Sequence, residues 1–418
     1  MYSGIYEEQV DVNKELTITS KSGNPEDTVV QAFKITANNV TINGFKVEDR
    51  NLGIYLDGVQ YSNISNNKLS QIMLNSSSNN TLHNNSCEAG VKCFSISYSN
   101  NNLIINNSFS AMEFGISIEY SDDNILTGNS INAGDHGLLL FYSHNNTVSN
   151  TAIGGCWEPI GLRFSSNNTV SNNYMSLADS AIILRDFSNN NTLNNNYVRS
   201  ASPAISLSSS SNNTVNNNTA NTGTTSFALE DSNNNVLKDN IVNNADSRTK
   251  SCFRLESSNN NILTGNVAGK RKIQEGEENI YVNNSNSNLI YDNYFNGTKN
   301  VYDNGNNIWN ITKTPGTNIV GGPFLGGNYW SDYTGNDTDG DGLGNTLLPY
   351  NCEGQIANGG DYLPLVICEK YNPYDTNKDC KIDLDELSVA IDDFYGTLDI
   401  EGISEIIDYY HLGEAGYC

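Results

Sequence analysis

The chain has 418 residues and carries 22 Lys plus Arg against 47 Asp plus Glu, a net charge of −25. That balance excludes a nucleic-acid binder, which needs a basic footprint, and it excludes docking on anionic lipid. No apolar run is long enough to span a bilayer, and the 71 Asn, about 17% of the residues, point to a repeat rather than an ordinary globular mixture.

The opening MYSGIYEEQV has neither a basic n-region nor an apolar h-region, so a secretion leader is expected to be missing from this sequence. From there the phrase Ser-Asn-Asn-Thr-Val/Leu keeps returning. Its closing apolar residue falls at Ile42, Ile64, Leu82, Ile104, Leu126, Val148, Val170, Leu193, Val215, Leu237, Leu263 and Ile290. The commonest spacing is 22, with extremes of 18 and 27. Five places after each marker the residue is apolar or small throughout, from Val47 to Phe295, which predicts an inward column. Three places after it Asn recurs, as in Asn67, Asn85, Asn107, Asn129 and Asn173. Asn tolerates left-handed turns, and stacked Asn amides bond along the stacking axis.

Apolar stretches such as Phe94-Ser95-Ile96 and Ile116-Ser117-Ile118 alternate with period two. The sequence therefore predicts a mainly β protein, a right-handed parallel β-helix of about twelve coils. At roughly 4.8 Å per coil the rod would be roughly 58 Å long. A leucine-rich horseshoe expects more Leu and one Asn per repeat, and a propeller expects a period near roughly 40.

On the outward side of the strands the expected column is Glu119, Phe141, Arg163, Asp186, Ser208, Glu230 and Glu256, although Ala181–Phe187 holds one extra residue. Asp135-His136 lies nearby in a turn, and Trp157-Glu158 stands before the Arg163 strand. Arg163 between Phe141 and Asp186 suits a sugar carboxylate, and Trp157 suits stacking on a ring. Arg163, Asp186, Asp135 and His136 are thus the catalytic candidates, and Trp157, Phe141 and Arg163 the glycan-binding ones. Outward strand positions are commonly charged for stability alone. No Gly-His-Gly with paired Asp and no Arg/Lys base cluster occurs, so the leading expectation is non-catalytic. The sequons at Asn145, Asn167, Asn190, Asn212, Asn296 and Asn310 are glycosylation candidates, each weak because the repeat is written in Asn and Thr.

The coil phrase resembles the parallel β-helix repeats of NosD-type and related archaeal surface proteins. So do the opening Gly4-Ile5-Tyr6-Glu7-Glu8 and the segment Val40-Thr41-Ile42-Asn43-Gly44-Phe45. Gly327-Asn328-Tyr329-Trp330-Ser331-Asp332-Tyr333, Asp339-Gly340-Asp341-Gly342 and Asp361-Tyr362-Leu363-Pro364-Leu365 are similar to the closing module of those proteins. The resemblance covers roughly residues 1–366 and is specific for fold, since this repeat serves enzymes and inert surface proteins alike. NosD is associated with copper-site maturation. With 4 His and 4 Met and no cluster of them, copper is not expected here.

From Asp332 onward 19 acidic residues face 3 Lys. The expected division is a β-helix over 1–315, an irregular calcium-binding closing module over 316–366, and an EF-hand-like module over 367–418. Asp337, Asp339 and Asp341 alternate around glycines, as a wrapped hard cation requires, with Asp332 or Asp361 as additions. Farther on, Asp375, Asn377, Asp379, Lys381 (through its carbonyl), Asp383 and Glu386 follow the ligand order of an EF-hand loop. Leu384, Leu387, Ile391 and Phe394 then sit at helical spacing. This module resembles a dockerin, which implies calcium and a cohesin-like partner. Cys380 replaces the loop glycine, and the second half, 399–407, keeps a helix but has lost the loop.

Cys352 with Cys368, and Cys380 with Cys418, are the favoured disulfides. Together these features place the protein outside the cell or on its surface. The expected function is a structural or adhesive rod attached through calcium-stabilised modules, its partners being cell-surface proteins, further copies of itself in a filament or lattice, or a polysaccharide. The alternatives are a polysaccharide lyase, a glycoside hydrolase or glycan binder, and a dockerin-borne component of an extracellular complex.

Overall fold

The computed structural model describes all residues except 177, 200, 222–224, 244–250, 270–277, 368–373, 376–381, 395–405, 408–409 and 411–418. The chain divides into two compact units, Met1–Val236 and Leu237–Cys418. Both are parallel β-solenoid, about 13 turns counted along the two. The turn beyond the expected twelve comes first: Thr17–Thr19 pairs with Thr41–Asn43. It carries none of the Ser-Asn-Asn phrase, so the repeat did not reveal it.

In the first unit a typical coil has three strands, for example Thr147–Ser149, Ala152–Gly154 and Glu158–Arg163. Each stacks in parallel register on its counterparts one coil away. Val148 lies between Leu126 and Val170, Ile153 between Ile131 and Met175, and Leu162 between Leu140 and Leu184. The marker and inward columns are enclosed as predicted; Val148, Ile153 and Leu162 are at most 2% exposed. Burying each such side chain contributes about 1.5–3 kcal/mol relative to leaving it in water.

Between strands the backbone turns, and its polar groups need partners in the dry interior. The expected Asn column supplies them, but the two jobs foreseen for it are split. Asn85 and Asn107 are buried, and their amides ladder along the axis: Asn85 Nδ2 donates to Asn107 Oδ1 at 3.0 Å and to Ile64 O at 2.8 Å. The left-handed backbone falls instead to the residue before, as in Asn84, Asn106, Asn150 and Asn172. A second Asn ladder runs through Asn80, Asn102, Asn124, Asn146, Asn168 and Asn191. A Ser column completes the corners: Ser99 N donates to Ser121 Oγ at 2.9 Å.

In the second unit Ser251–Glu256, Glu278–Asn283 and Val301–Asp303 stack in parallel, and Tyr294–Phe295 pairs with Tyr329–Trp330. Trp330 stacks between Phe295 and Tyr350, at 4.9 and 4.6 Å between centroids. Beneath them the buried Asp361 accepts hydrogen bonds from Asn328 N, Trp330 Nε1 and Leu363 N at 2.7, 2.8 and 3.0 Å.

Near the C-terminus a helix spans Leu384–Phe394. Its buried face differs from the expected one. Leu387 and Ala390 pack with Ile382 and Ile406, while Leu384 and Ile391 are 66% and 41% exposed. Asp383 Oδ1 accepts from Glu386 N at 2.9 Å and Asp383 N donates to Glu386 Oε2 at 3.2 Å, a reciprocal capping box at the helix start.

Candidate functional site

In the first unit the stretch from Lys92 to Phe187 gathers charged and aromatic side chains on its outward side. Its third strands are Lys92–Ser97, Phe114–Glu119, His136–Phe141, Glu158–Arg163 and Ile182–Arg185. Parallel register aligns their outward residues into rows. One row reads Lys92, Phe114, His136, Glu158, and another Glu119, Phe141, Arg163, Arg185.

The expected pairing of Arg163 with Asp186 is therefore corrected: the row holds Arg185. The extra residue of this coil is inserted just after Arg185. Arg163 to Arg185 is 22 positions, whereas Ser165 N meets Ser188 Oγ 23 positions on. Asp186 and Phe187 absorb it with φ of 56° and 62°, and both project into solvent. The spacing of 23 in the marker series was the available signal for this shift.

Glu158 joins the rows. Its carboxylate folds over Gly161, where an added Cβ would come within 2.2 Å of Oε1, so any larger residue there must push the Glu158 side chain aside. Glu158 Oε2 lies 3.6 Å from His136 Nε2, 3.6 Å from Arg163 Nη2 and 3.9 Å from Arg185 Nη1. These are ion-pair distances, and three atoms of the cluster, His136 Nδ1, Glu158 Oε1 and Arg163 Nε, are buried without a hydrogen-bond partner. Burial holds the His136 imidazole below its ordinary value, against the upward pull of Glu158. Phe114 stacks on the His136 ring at 4.9 Å. Trp157, next to Glu158, is 69% exposed.

At the corner following the same strands stands a column of aromatics that sequence reading missed. Tyr98, Tyr120, Tyr142 and Phe164 all have φ between 47° and 51°. Their rings stack nearly parallel at centroid distances of 5.3, 5.2 and 4.6 Å. Phe141 meets Tyr142 edge-on at 4.7 Å. In other coils this left-handed corner carries Ser76, Ser209 or Asp231. A bulky residue there costs about 1–2 kcal/mol, which stacking at about 0.5–1.5 kcal/mol per pair offsets.

The acidic loop of the second unit brings Asp337, Asp339 and Asp341 together, their carboxylate oxygens within 4.8 Å of one another. Asp337 also caps its own turn, accepting from Gly340 N at 2.8 Å and Gly342 N at 2.7 Å, and Asp341 pairs with Lys313. Burial pushes the Asp337 carboxyl up, with the Gly342 N–H opposing. The two expected additions do not join: Asp332 accepts from Tyr350 Oη at 2.8 Å, and Asp361 lies under Trp330.

Of the EF-hand residues, Asp375 and Glu386 are buried and Asp383 is the helix cap, while Asn377, Asp379 and Lys381 lie outside the described residues. Cys352 is buried, 3.7 Å from Asp332 Oδ2, and the partner expected for it, Cys368, lies outside the described residues. Cys368, Cys380 and Cys418 are outside the described residues. Asn145, Asn167, Asn190 and Asn212 are exposed left-handed corner residues, while Asn296 and Asn310 are half-buried.

Among the described residues the thiols of Cys87 and Cys93 meet as a pair, with no third His or Cys joining them. Among the described residues the Asp trio is the one group of three or more His, Cys, Asp or Glu placed to share an ion. His144 Nδ1 is occupied by Ser166 N at 3.0 Å, and the thiols of Cys87 and Cys93 are buried against backbone carbonyls.

No curated protein matches the sequence. Solved structures similar to this chain include the catalytic unit of a thermostable GH87 α-1,3-glucanase from Streptomyces thermodiastaticus, at 13% identity over 73% of this chain and 62% of that one, TM-score 0.47. The chain thus spans less than two thirds of that glucanase. Others are the periplasmic alginate epimerase AlgG, at 11% identity over 70% of this chain and 77% of that one, TM-score 0.39, and PfbA, a surface adhesin of Streptococcus pneumoniae, at 14% over 66% and 81%, TM-score 0.38. The sequence itself matches the family described as periplasmic copper-binding protein (NosD) over residues 1–150 and 133–335, and the chain belongs to that family.

Proposed function

We propose that this protein is a non-catalytic, adhesive solenoid that holds a polysaccharide along the face built from Lys92 to Phe187. The family is described as periplasmic, in keeping with the expected place outside the cytosol. Among the described residues no helix is long and apolar enough to cross a membrane. The family description also names copper. Among the described residues the group of three converging donors is made of carboxylates, which suit hard cations rather than copper.

The observation that carries the reading is the aromatic column. Four successive coils place an aromatic side chain on a strained left-handed corner beside the row that ends in Arg163 and Arg185, where coils such as those of Ser76, Ser209 and Asp231 carry small or polar residues. Rings and polar side chains in one rigid strip suit sugars, which offer apolar ring faces and hydroxyls together. Glycoside cleavage ordinarily uses two carboxylates facing each other across the bond. Here Glu158 is engaged by two guanidinium groups and Asp186 has left the row, which favours holding over cutting.

Immobilised-glycan binding by the wild type and by a Tyr120→Ser, Tyr142→Ser variant tests this. Binding that the double substitution abolishes is expected. No binding across a broad neutral and acidic panel, or release of reducing ends from a bound glycan, would reject the reading.

A second component of the proposal is calcium at Asp337, Asp339 and Asp341, displacing Lys313 from Asp341 and bracing the closing segment. It rests on three converging carboxylates on a glycine-rich wrap. Attachment through the C-terminal module, with cell-surface proteins, further copies of the chain or a cohesin-like protein as partner, belongs to the same proposal.

A further inference from the structure

We infer that Arg163 and Arg185 form a reader of carboxylate groups, so that the polysaccharide held on this face is an acidic one built from uronic acids. This rests on the glycan-holding reading above and names its substrate class.

Arg163 and Arg185 stand in register on adjacent coils. Like charges directly opposite in a ladder destabilise it. Glu158 is the carboxylate paired with both, yet it lies 3.6 and 3.9 Å away, outside hydrogen-bonding range, and it also faces His136 at 3.6 Å. Two permanent cations thus share one loosely held anion, on a chain whose net charge is −25. Glu158 is more than nine-tenths buried, and its Oε1, with Arg163 Nε and His136 Nδ1, is left without a hydrogen-bond partner. Of these, Arg163 Nε is a donor that lacks an acceptor, the kind of partner a carboxylate supplies.

An added carboxylate gives the two guanidinium groups a second anion to share beside Glu158. Guanidinium groups hold carboxylates through two parallel N–H donors. Arg185 and Arg163 have 43% and 33% of their side chains exposed, so ligand reaches them from solvent. Trp157, alongside, offers an open ring face to the sugar that bears the carboxylate. The insertion after Arg185 turns the competing carboxylate of Asp186 out of the row.

The test is calorimetry or affinity electrophoresis on the full chain with an oligogalacturonide, its methyl ester, a sulfated oligosaccharide and a neutral glucan. The free acid should bind, with affinity falling as salt rises, and the methyl ester should bind on the order of tenfold more weakly or worse. Arg185→Ala should remove that difference, and Arg185→Lys should recover only part of it because the fork is lost. Glu158→Gln, which withdraws the resident anion and keeps its shape, should tighten binding of the acid.

Equal binding of acid and ester, or an Arg185→Ala variant that still separates them, overturns the inference and leaves the glycan reading intact. Preference for the sulfated sugar over the uronate overturns the carboxylate assignment. Failure of every sugar to bind overturns the glycan reading itself.

Discussion

Thr151 interrupts the buried Asn column between Asn129 and Asn173, and restoring the column should stabilise the first unit. Elsewhere each Asn receives two bonds from the coil before: Asn107 N and Nδ2 donate to Asn129 Oδ1 at 2.9 and 3.2 Å. Each also donates backward, as Asn173 Nδ2 does to Val148 O at 3.0 Å. Thr151 instead turns its hydroxyl to Ser149 O at 2.9 Å, and no bond of this kind reaches it from Asn129. Thr151→Asn would add four hydrogen bonds, two from Asn129, one to Leu126 O and one to Asn173 Oδ1, and forfeit one. Because the new contacts share one amide oxygen and one amide nitrogen, the gain is about 2 kcal/mol, reduced to about 1 by the extra side-chain ordering. Hydrogen exchange at the Asn129 amide is the sensitive assay, since a gain of about 1 kcal/mol slows local opening about fivefold. The urea midpoint of the full chain should rise as well. Unchanged exchange at Asn129, or a lower midpoint, would refute the claim that the ladder is a stabilising series of amide bonds.

Asn146→Ala should act in the opposite direction. It strips the acceptor from buried Asn124 N and a donor from Ser121 O, costing about 2–4 kcal/mol, read by the same denaturation. Gly161→Ala should cost about 1–3 kcal/mol by driving its Cβ into Glu158, and a Glu158→Ser partner should recover most of that in a double-mutant cycle. The second unit should respond to pH. Burial pushes Asp361 from 3.8 up to about 7 and Asp292 up to about 6. The folded unit then holds protons that the unfolded chain has released, so this contribution is full below about pH 4 and lost as pH rises to about 7. Asp361→Asn should flatten that slope in urea titrations across the range. Calcium in millimolar excess should raise the melting temperature reversibly with EDTA, and Asp339→Ala should abolish the rise.

The solenoid was legible because its rules repeat. A column that is apolar in every coil, as Leu82, Val148 and Val170 are, can face only inward. An Asn column that recurs at one position has one structural job, though the sequence did not divide the buried amide of Asn107 from the left-handed backbone of Asn106. The site was less legible because it consists of departures from the repeat. Arg185 and Asp186 exchange places through one inserted residue, which a spacing of 23 flags without locating. Glu158 reads as standing before the Arg163 strand until the fold over Gly161 is seen. Tyr98, Tyr120 and Tyr142 were visible in sequence, but the period-two count assigns them to no face, since the corner backbone breaks that alternation. In the C-terminal helix the 3.6 spacing nominated Leu384 and Ile391, whereas the small partner segment around Ile406 covers only Leu387 and Ala390.

The insertion at Asp186 and Phe187 leaves Ile182, Leu184, Leu193 and Val198 in perfect step with the neighbouring coils. Length is therefore free to vary at that bend without moving the packed columns. Lineages sharing this architecture can lengthen it residue by residue, trying new protrusions at the edge of the proposed binding strip, while the interior never registers the change.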